Sequence, residues 1–284
     1  MAKKHCDLKN LGNKNMTESK NITNSQENPE TLEMLGIGLL KISETNSDEK
    51  FEVIFQKGIG MPLIQNTMEM YIKEILDRKQ GNSIIPVQDY TIFMYYFQNG
   101  ENIIIILFMN DKEDSLSYPQ LYLETKSIRN SFRLNTPISK IKRAINERIT
   151  IPIVDGIAAL FIIGASGSPY ISKVKKNRAA IADREVVIGG FISALFSFSR
   201  EVIGIESGAE LKEINFGNQT FYVIAKKNVI FAYLAEKVNL ILRRYMHLIV
   251  DEFLAKYQDC LINFDGDVMR FYEFENTIDQ YFRI

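Results

Sequence analysis

The side chains that most often carry out chemistry are scarce in this 284-residue chain, and they lie far apart in it. The histidines are His5 and His247, and the cysteines are Cys6 and Cys260. A structural zinc site needs four such ligands at regular spacing, which these positions do not offer. His247 follows two arginines on a predicted helix, so it is interpreted as part of a solvated face. We expect no bound metal and no cofactor.

Short patterns that resemble catalytic motifs fail in their context. Gly164–Gly167, which reads GASG, joins two predicted strands, as a hairpin turn does, and it lacks the G-x-S-x-G spacing of a nucleophile elbow. Ser139–Lys142 matches S-x-x-K without its companion motifs. No G-x-x-x-x-G-K-[ST] loop occurs. Asp251 and Glu252 lie among basic residues, where no raised pKa is expected. The sequence therefore predicts a protein that is not an enzyme.

The overall composition is typical of a soluble globular protein that does not bind nucleic acid. Hydrophobic residues make up 46% and charged residues 24% of the chain, with a net charge of −1. A nucleic-acid-binding domain would instead favour a basic face. The longest apolar runs, Ile103–Met109 and Ala158–Gly164, are too short to span a bilayer. The first twenty residues have no apolar core typical of a signal peptide, so we expect a cytoplasmic protein.

One order of predicted elements occurs twice along the chain. Two strands, a helix, three strands and a helix are predicted over residues 35–133, and again over residues 156–258. The domain prediction is a disordered tail at 1–30, module A at 31–135, a linker helix at 136–152, and module B at 153–284 with an amphipathic helix at 267–282. In module A, Pro62 opens the first helix, and Ile103–Met109 is apolar on both alternating faces. That run indicates a central strand that is covered on both sides.

The predicted linker helix carries a strong positive charge from four side chains, Lys140, Lys142, Arg143 and Arg148. We interpret this segment mainly as a surface helix whose charges are solvated. An acidic partner or an anionic membrane is the alternative, so peripheral membrane association remains open although no transmembrane segment is predicted.

The predicted helix at 186–203 suggests an interaction surface. Its apolar stripe, expected to face the sheet, consists of Ile188, Phe191, Ile192, Leu195, Val202 and Ile203. The other side carries small residues at intervals of three and four, where a free surface helix would carry Lys and Glu, namely Gly190, Ser193, Ala194, Ser197 and Glu201. Small side chains permit close packing, so this side is predicted to contact module A or a partner. In module A, Leu63 and Met70 lie outside the main stripe of their helix and are predicted to form a matching surface.

The stretches ALFIIGASGSPYISK and GGFISALFSFSREVIG, followed by a three-strand meander and a long helix, resemble longin- or roadblock-type proteins of Asgard archaea. The resemblance covers module B, whereas in module A it depends on element order alone. It implies an α+β fold with two tandem longin-like modules, each an antiparallel five-stranded sheet with flanking helices, of the profilin-like type. Two such modules in a row are similar to eukaryotic tandem-longin subunits that act on Rab-type GTPases. The family has no catalytic residues to transfer.

The roadblock fold remains an alternative, because it adds a helix before the first strand. The helix at 138–149 fits either that position in module B or the end of module A, and the second assignment is preferred since it leaves module A complete.

Three functions follow as hypotheses. The first is a non-enzymatic platform for a small Ras-like GTPase, in nucleotide exchange or membrane trafficking. The second is a structural or tethering subunit that binds another longin- or roadblock-type subunit, as a homo- or hetero-oligomer. The third is a small-ligand sensor on a profilin-like fold.

Overall fold

The computed structural model describes residues 31–43, 51–87, 90–111, 117–164, 166–178, 181, 183–204 and 211–284. Residues 31–284 form one compact unit. The predicted disordered tail at 1–30, with His5 and Cys6, lies outside the described residues.

Module A contains a five-stranded antiparallel sheet. Its strands are β2 Gly36–Ser43, β3 Phe51–Lys57, β4 Gly81–Val87, β5 Tyr90–Asn99 and β6 Asn102–Asp111. Their spatial order is β3-β2-β6-β5-β4, and every neighbouring pair is antiparallel. Helix α1, Met61–Arg78, connects β3 to β4 and has a proline in its first turn, as predicted. A short strand, β1 Leu32–Glu33, precedes the sheet.

Module B repeats this topology. Its strands are β8 Ile157–Gly164, β9 Pro169–Val174, β10 Glu213–Phe216, β11 Gln219–Lys226 and β12 Val229–Ala235. The spatial order β10-β11-β12-β8-β9 corresponds, strand for strand, to the order in module A. The turn between β8 and β9 closes with a 2.9 Å hydrogen bond from the Gly167 amide to the Gly164 carbonyl, so the predicted hairpin turn is confirmed.

In each sheet, the strand that comes last in the sequence lies at the centre of the sheet and is buried on both faces. Residues 103–109 of β6 alternate between two apolar clusters on opposite faces, and residues 229–235 of β12 do the same. The prediction of a central strand at Ile103–Met109 is confirmed, because helices cover both of its sides. Two five-stranded antiparallel sheets with flanking helices confirm the predicted α+β fold of two tandem longin-like modules.

Three helices cover the sheet of module A. Helix α1 packs on one face, where Ile64, Met68 and Ile75 are buried. Helices α2 Tyr118–Arg133 and α3 Ile138–Arg148 cover the other face. Ile141 and Ile145 of α3 share the cluster of the α2 side chains. The helix predicted at 138–149 therefore packs on module A, in agreement with the preferred assignment.

Module B has one helix on one face and several segments on the other. Helix α4, Glu185–Phe198, continues into a π-helical turn at Ser199–Gly204 and covers the first face. Helix α5, Leu240–Lys256, covers the second face and is followed by α6 Gln258–Ile262. The amphipathic helix predicted at 267–282 is wrong as a continuous helix. The chain forms a 3₁₀ helix at Val268–Phe274 and a short helix α7 at Glu275–Ile278, since close packing of Phe271, Phe274 and Phe282 on α5 decides its course.

The two modules meet where α1 packs against α5. Ile241 of α5 contacts the apolar clusters of both modules. Strand β1 pairs in parallel with β7, Ile149–Thr150, which follows α3. The end of the chain also returns to this region, because the Val154 amide donates to the Tyr281 carbonyl at 2.9 Å.

Candidate interaction surface

The inner face of α4 fits closely over the β8–β9 turn. Ile192 is fully buried, and Ile188 and Phe196 pack at its sides. Gly189 lies against the turn so closely that an added Cβ would stand 2.7 Å from the carbonyl oxygen of Gly167. Gly167 itself has a φ of +87°, which favours glycine. Two glycines thus allow the helix to approach the turn.

The outer face of α4 is apolar and exposed. Val187 is 70%, Phe191 45% and Phe198 56% exposed. These side chains stand at intervals of four and seven residues, so they lie along one side of the helix. We define the α4 face as Val187, Gly190, Phe191, Ala194, Phe198 and Val202, all of which are exposed.

The residues predicted for this surface separate into two groups. Gly190, Ala194, Ser197 and Glu201 are all exposed on the outer side of the helix and its π-helical continuation. Ser193 is buried, because it faces Gly167, whose Cβ would stand 3.5 Å from the Ser193 Cβ. The prediction that Ser193 faces module A or a partner is therefore wrong.

The expected sheet-facing stripe also needs correction. The expected stripe includes Phe191 and Val202, but both are exposed, and Ser193 and Gly189 occupy buried positions instead. The physical reason is the close approach of the β8–β9 turn, which only small residues permit. The side of the helix that faces the sheet is therefore rotated relative to the predicted stripe, and large apolar side chains are left exposed on the surface.

The apolar surface continues from the helix onto the edge of the sheet. Phe216 at the end of β10 is exposed, and its ring centroid lies 6.5 Å from that of Phe191. Strand β10 is an edge strand, since β11 is its only sheet neighbour among the described residues. An edge strand presents backbone groups that another chain can pair with.

Ser197 and Glu201 also line a groove beside the β11–β12 turn. Arg200, Lys226 and Lys227 complete much of its wall. Lys226 forms an ion pair with Asp251 at 2.8 Å, and the Arg200 guanidinium lies over the Phe196 ring. This groove beside the α4 face is therefore lined by three basic side chains and one acidic side chain, that of Glu201.

Leu63 and Met70 do not join this surface. Leu63 is partly buried against the core of module A, whereas Met70 is 62% exposed on α1. Helix α1 packs against α5, and the main contacts of α4 are with β8 and β9. The contact between the modules is thus made by α5, and no matching surface between α1 and α4 is formed by the described residues.

Arg244 of α5 forms the centre of the contact between the modules. Its guanidinium donates to the carbonyl oxygens of Leu35, at 3.1 Å, and of Gly58, and it lies 5.0 Å from the centroid of the Tyr90 ring. Burial lowers the pKa of Arg244. No carboxylate among the described residues lies within salt-bridge distance, so backbone oxygens and aromatic faces compensate for the loss of water.

A second chain of hydrogen bonds lies beside it. The Gly58 amide donates to the Tyr281 hydroxyl at 3.1 Å, and that hydroxyl donates to Glu252 Oε1 at 2.9 Å. Gly58 has a φ of +68°, and an added Cβ would stand 2.6 Å from the Ile151 side chain, so only glycine fits. We call Gly58, Arg244, Glu252 and Tyr281 the module joint.

The pKa of Glu252 corrects one expectation from the sequence. Burial raises it to about 7, although the Tyr281 hydrogen bond lowers it, and nearby Asp251 adds to the increase. The prediction of no raised pKa at this pair is wrong for Glu252. Asp251 precedes Glu252 in the sequence, but the fold places Glu252 beside the C-terminal segment, where the Tyr281 hydroxyl donates to it.

Of two features that the sequence interpretation missed, one had no local signal and the other had one. Arg244 follows Arg243, and nothing in the pattern separates the largely buried arginine from the exposed one. The exposed Phe198 did carry a signal, because helix 185–198 reads EVVIGGFISALFSF and is apolar on nearly all sides. Such a helix is expected to be covered on both sides.

The described residues contain no group of three or more His, Cys, Asp or Glu that could hold a metal ion. None of the helices in the described part of the chain has the length and apolar character needed to cross a bilayer.

A scan against models of protein families finds no match to this chain. A search among curated proteins also finds none. Among solved structures, the chain is similar to the Roadblock/LC7 domain from Streptomyces avermitilis, with 14% sequence identity and a TM-score of 0.30. The match covers 36% of this chain and 86% of that domain. The fold assignment itself rests on the order and pairing of the strands in the two sheets.

Proposed function

We propose that this chain is a non-catalytic protein-binding platform whose partner binds the α4 face. The exposed apolar side chains of that face carry the proposal. Contiguous exposed apolar patches on protein surfaces mark interaction sites. Phe191 and Phe198 provide aromatic anchors, a residue type that is enriched in the energetically dominant parts of interfaces.

For the partner, we propose a small Ras-like GTPase. The support is the resemblance of the sequence to longin proteins of Asgard archaea and to tandem-longin GTPase regulators. Nucleotide exchange would require the platform only to distort the GTPase, with no covalent step, so it needs no catalytic residues in this chain.

A second candidate is a structural subunit that assembles with another longin- or roadblock-type chain. The edge strand β10 favours it, because Phe216 makes the sheet edge continuous with the α4 face. A partner could then pair with β10 and cover the helix at once.

Capture of purified GTPases from the same genome, each in its nucleotide-free, GDP-bound and GTP-bound form, tests the proposal. We expect Ala194→Glu or Phe198→Ser to weaken capture by about tenfold or more. The first variant places a charge in the interface, and the second removes an aromatic anchor. Ile262→Asn is the matched control, since Ile262 is 71% exposed elsewhere in module B.

Equal capture by wild type and both α4 variants would contradict the proposed surface. If no GTPase is captured and sedimentation velocity shows a wild-type oligomer that Phe198→Ser dissociates, the structural-subunit function replaces the GTPase platform.

A further inference from the structure

The helical layer of module A carries a concentrated positive charge. Between Tyr118 and Arg148, seven Lys or Arg residues stand against two Glu, while the whole chain has a net charge of −1. Both glutamates are already paired, Glu124 with Arg148 at 2.8 Å and Glu147 with Arg143 at 2.8 Å. The remaining cations are in excess over any acidic partner in this layer.

The excess cations point to solvent. Helices α2 and α3 bury one side each in the same apolar cluster on one face of the sheet. Their opposite sides therefore face away from the sheet together. Lys126 and Arg133 of α2 and Lys140 of α3 are exposed on these sides, and none of them has a carboxylate within salt-bridge distance among the described residues.

Large apolar side chains stand among these cations. Leu134, at the turn between the two helices, is 79% exposed, and Ile138 follows at the start of α3. Leu123 and Tyr122 of α2 are each more than 60% exposed. We define the α2–α3 face as Leu123, Lys126, Arg133, Leu134 and Lys140.

We propose that the α2–α3 face binds the surface of an anionic lipid bilayer. The exposed Lys and Arg side chains attract the lipid phosphates, and Leu134 with its apolar neighbours enters the boundary between headgroups and acyl chains. Clustered basic residues and exposed aliphatic or aromatic side chains on one helical face are the combination that interfacial binding requires. Charge complementarity favours anionic over neutral lipid, and it also distinguishes this face from the α4 face.

Vesicle flotation with the full chain tests the proposal. The vesicles contain phosphatidylcholine alone or with about 30 mol% phosphatidylserine, at about 0.1 M and about 0.5 M salt. We expect binding only to the anionic vesicles and weakening at high salt. The double variant Lys126→Glu/Lys140→Glu should lower the affinity by about tenfold or more, and Leu134→Asn should weaken binding even at low salt.

A control variant separates a specific face from overall charge. Lys73→Glu/Lys212→Glu reverses two exposed lysines outside the α2–α3 face and produces the same net charge. It should keep near wild-type affinity. Equal loss in both double variants, binding to neutral vesicles that matches binding to anionic ones, or no binding by the wild type would overturn the proposal. Binding to an acidic polypeptide such as poly-glutamate, without vesicle binding, would assign the face to an acidic protein instead.

Discussion

At the scale of single residues, the module joint shows how the fold changes the chemistry of ordinary side chains. Glu252 lies on α5, with Lys256 and Tyr281 lining the same cleft and Gln56 approaching from module A. Burial raises its pKa to about 7, against an ordinary value of 4.5. A group whose pKa is higher in the folded state stabilises the fold in its protonated form. That contribution is complete below the ordinary pKa and is lost as the pH rises through 7.

The free energy of unfolding should therefore depend on pH through Glu252. Between pH 5 and pH 8 we expect wild type to lose up to about 3 kcal/mol relative to Glu252→Gln, whose amide does not titrate. Urea unfolding of both proteins across this range measures the difference. His247 on the same helix also titrates, with its pKa lowered by partial burial. The comparison cancels that effect because both proteins contain it. A difference that stays constant with pH would contradict the assignment.

At the scale of elements, tertiary packing decides what two helices of similar appearance do. Helix α4 is apolar on nearly all sides, and the β8–β9 turn selects the side with glycine and serine for burial. Helix α3 is strongly basic, yet Ile141 and Ile145 join the core of module A. Its charge therefore reflects only the exposed side.

The packing of α3 gives a prediction about its role. We expect Ile145→Ala to lower the free energy of unfolding by about 2–4 kcal/mol, because it opens a cavity in a closed apolar cluster. Ile138→Ala, at a partly exposed position in the same helix, should cost less than about 1 kcal/mol. Urea denaturation measures both. A small effect for both variants would indicate a linker helix that contributes little to module A.

At the scale of the whole molecule, a largely buried arginine connects the two modules. Arg244 reaches from α5 to the backbone carbonyl just before β2, to the one just after β3, and to the Tyr90 ring. Its hydrogen bonds cross sequence separations of 186 and 209 residues. Such contacts make the two modules behave as one compact unit.

Removal of Arg244 should uncouple the modules. We expect Arg244→Ala to lower the free energy of unfolding by about 2–4 kcal/mol, because the carbonyls of Leu35 and Gly58 lose their donors, and to separate one cooperative transition into two. Arg243→Ala is the matched control, since Arg243 is exposed. Equal effects of the two variants in urea unfolding, monitored by tyrosine fluorescence and by circular dichroism, would show that Arg244 has no special role.

The sequence by itself determined the repeated element order, the central strand at Ile103–Met109 and the presence of most helices. These depend on apolar periodicity, turn residues and capping, which are local properties of the chain. Only the tertiary structure decided which side of α4 faces the sheet, that α3 packs on module A, that the C-terminal segment is not one helix, and that Arg244 and Glu252 are largely buried. Each of these depends on contacts between residues far apart in sequence, such as Gly58 with Tyr281 or Gly167 with Ser193. Local patterns contain no information about the approach of a distant turn or helix, and that approach sets burial, pKa and the surface left exposed.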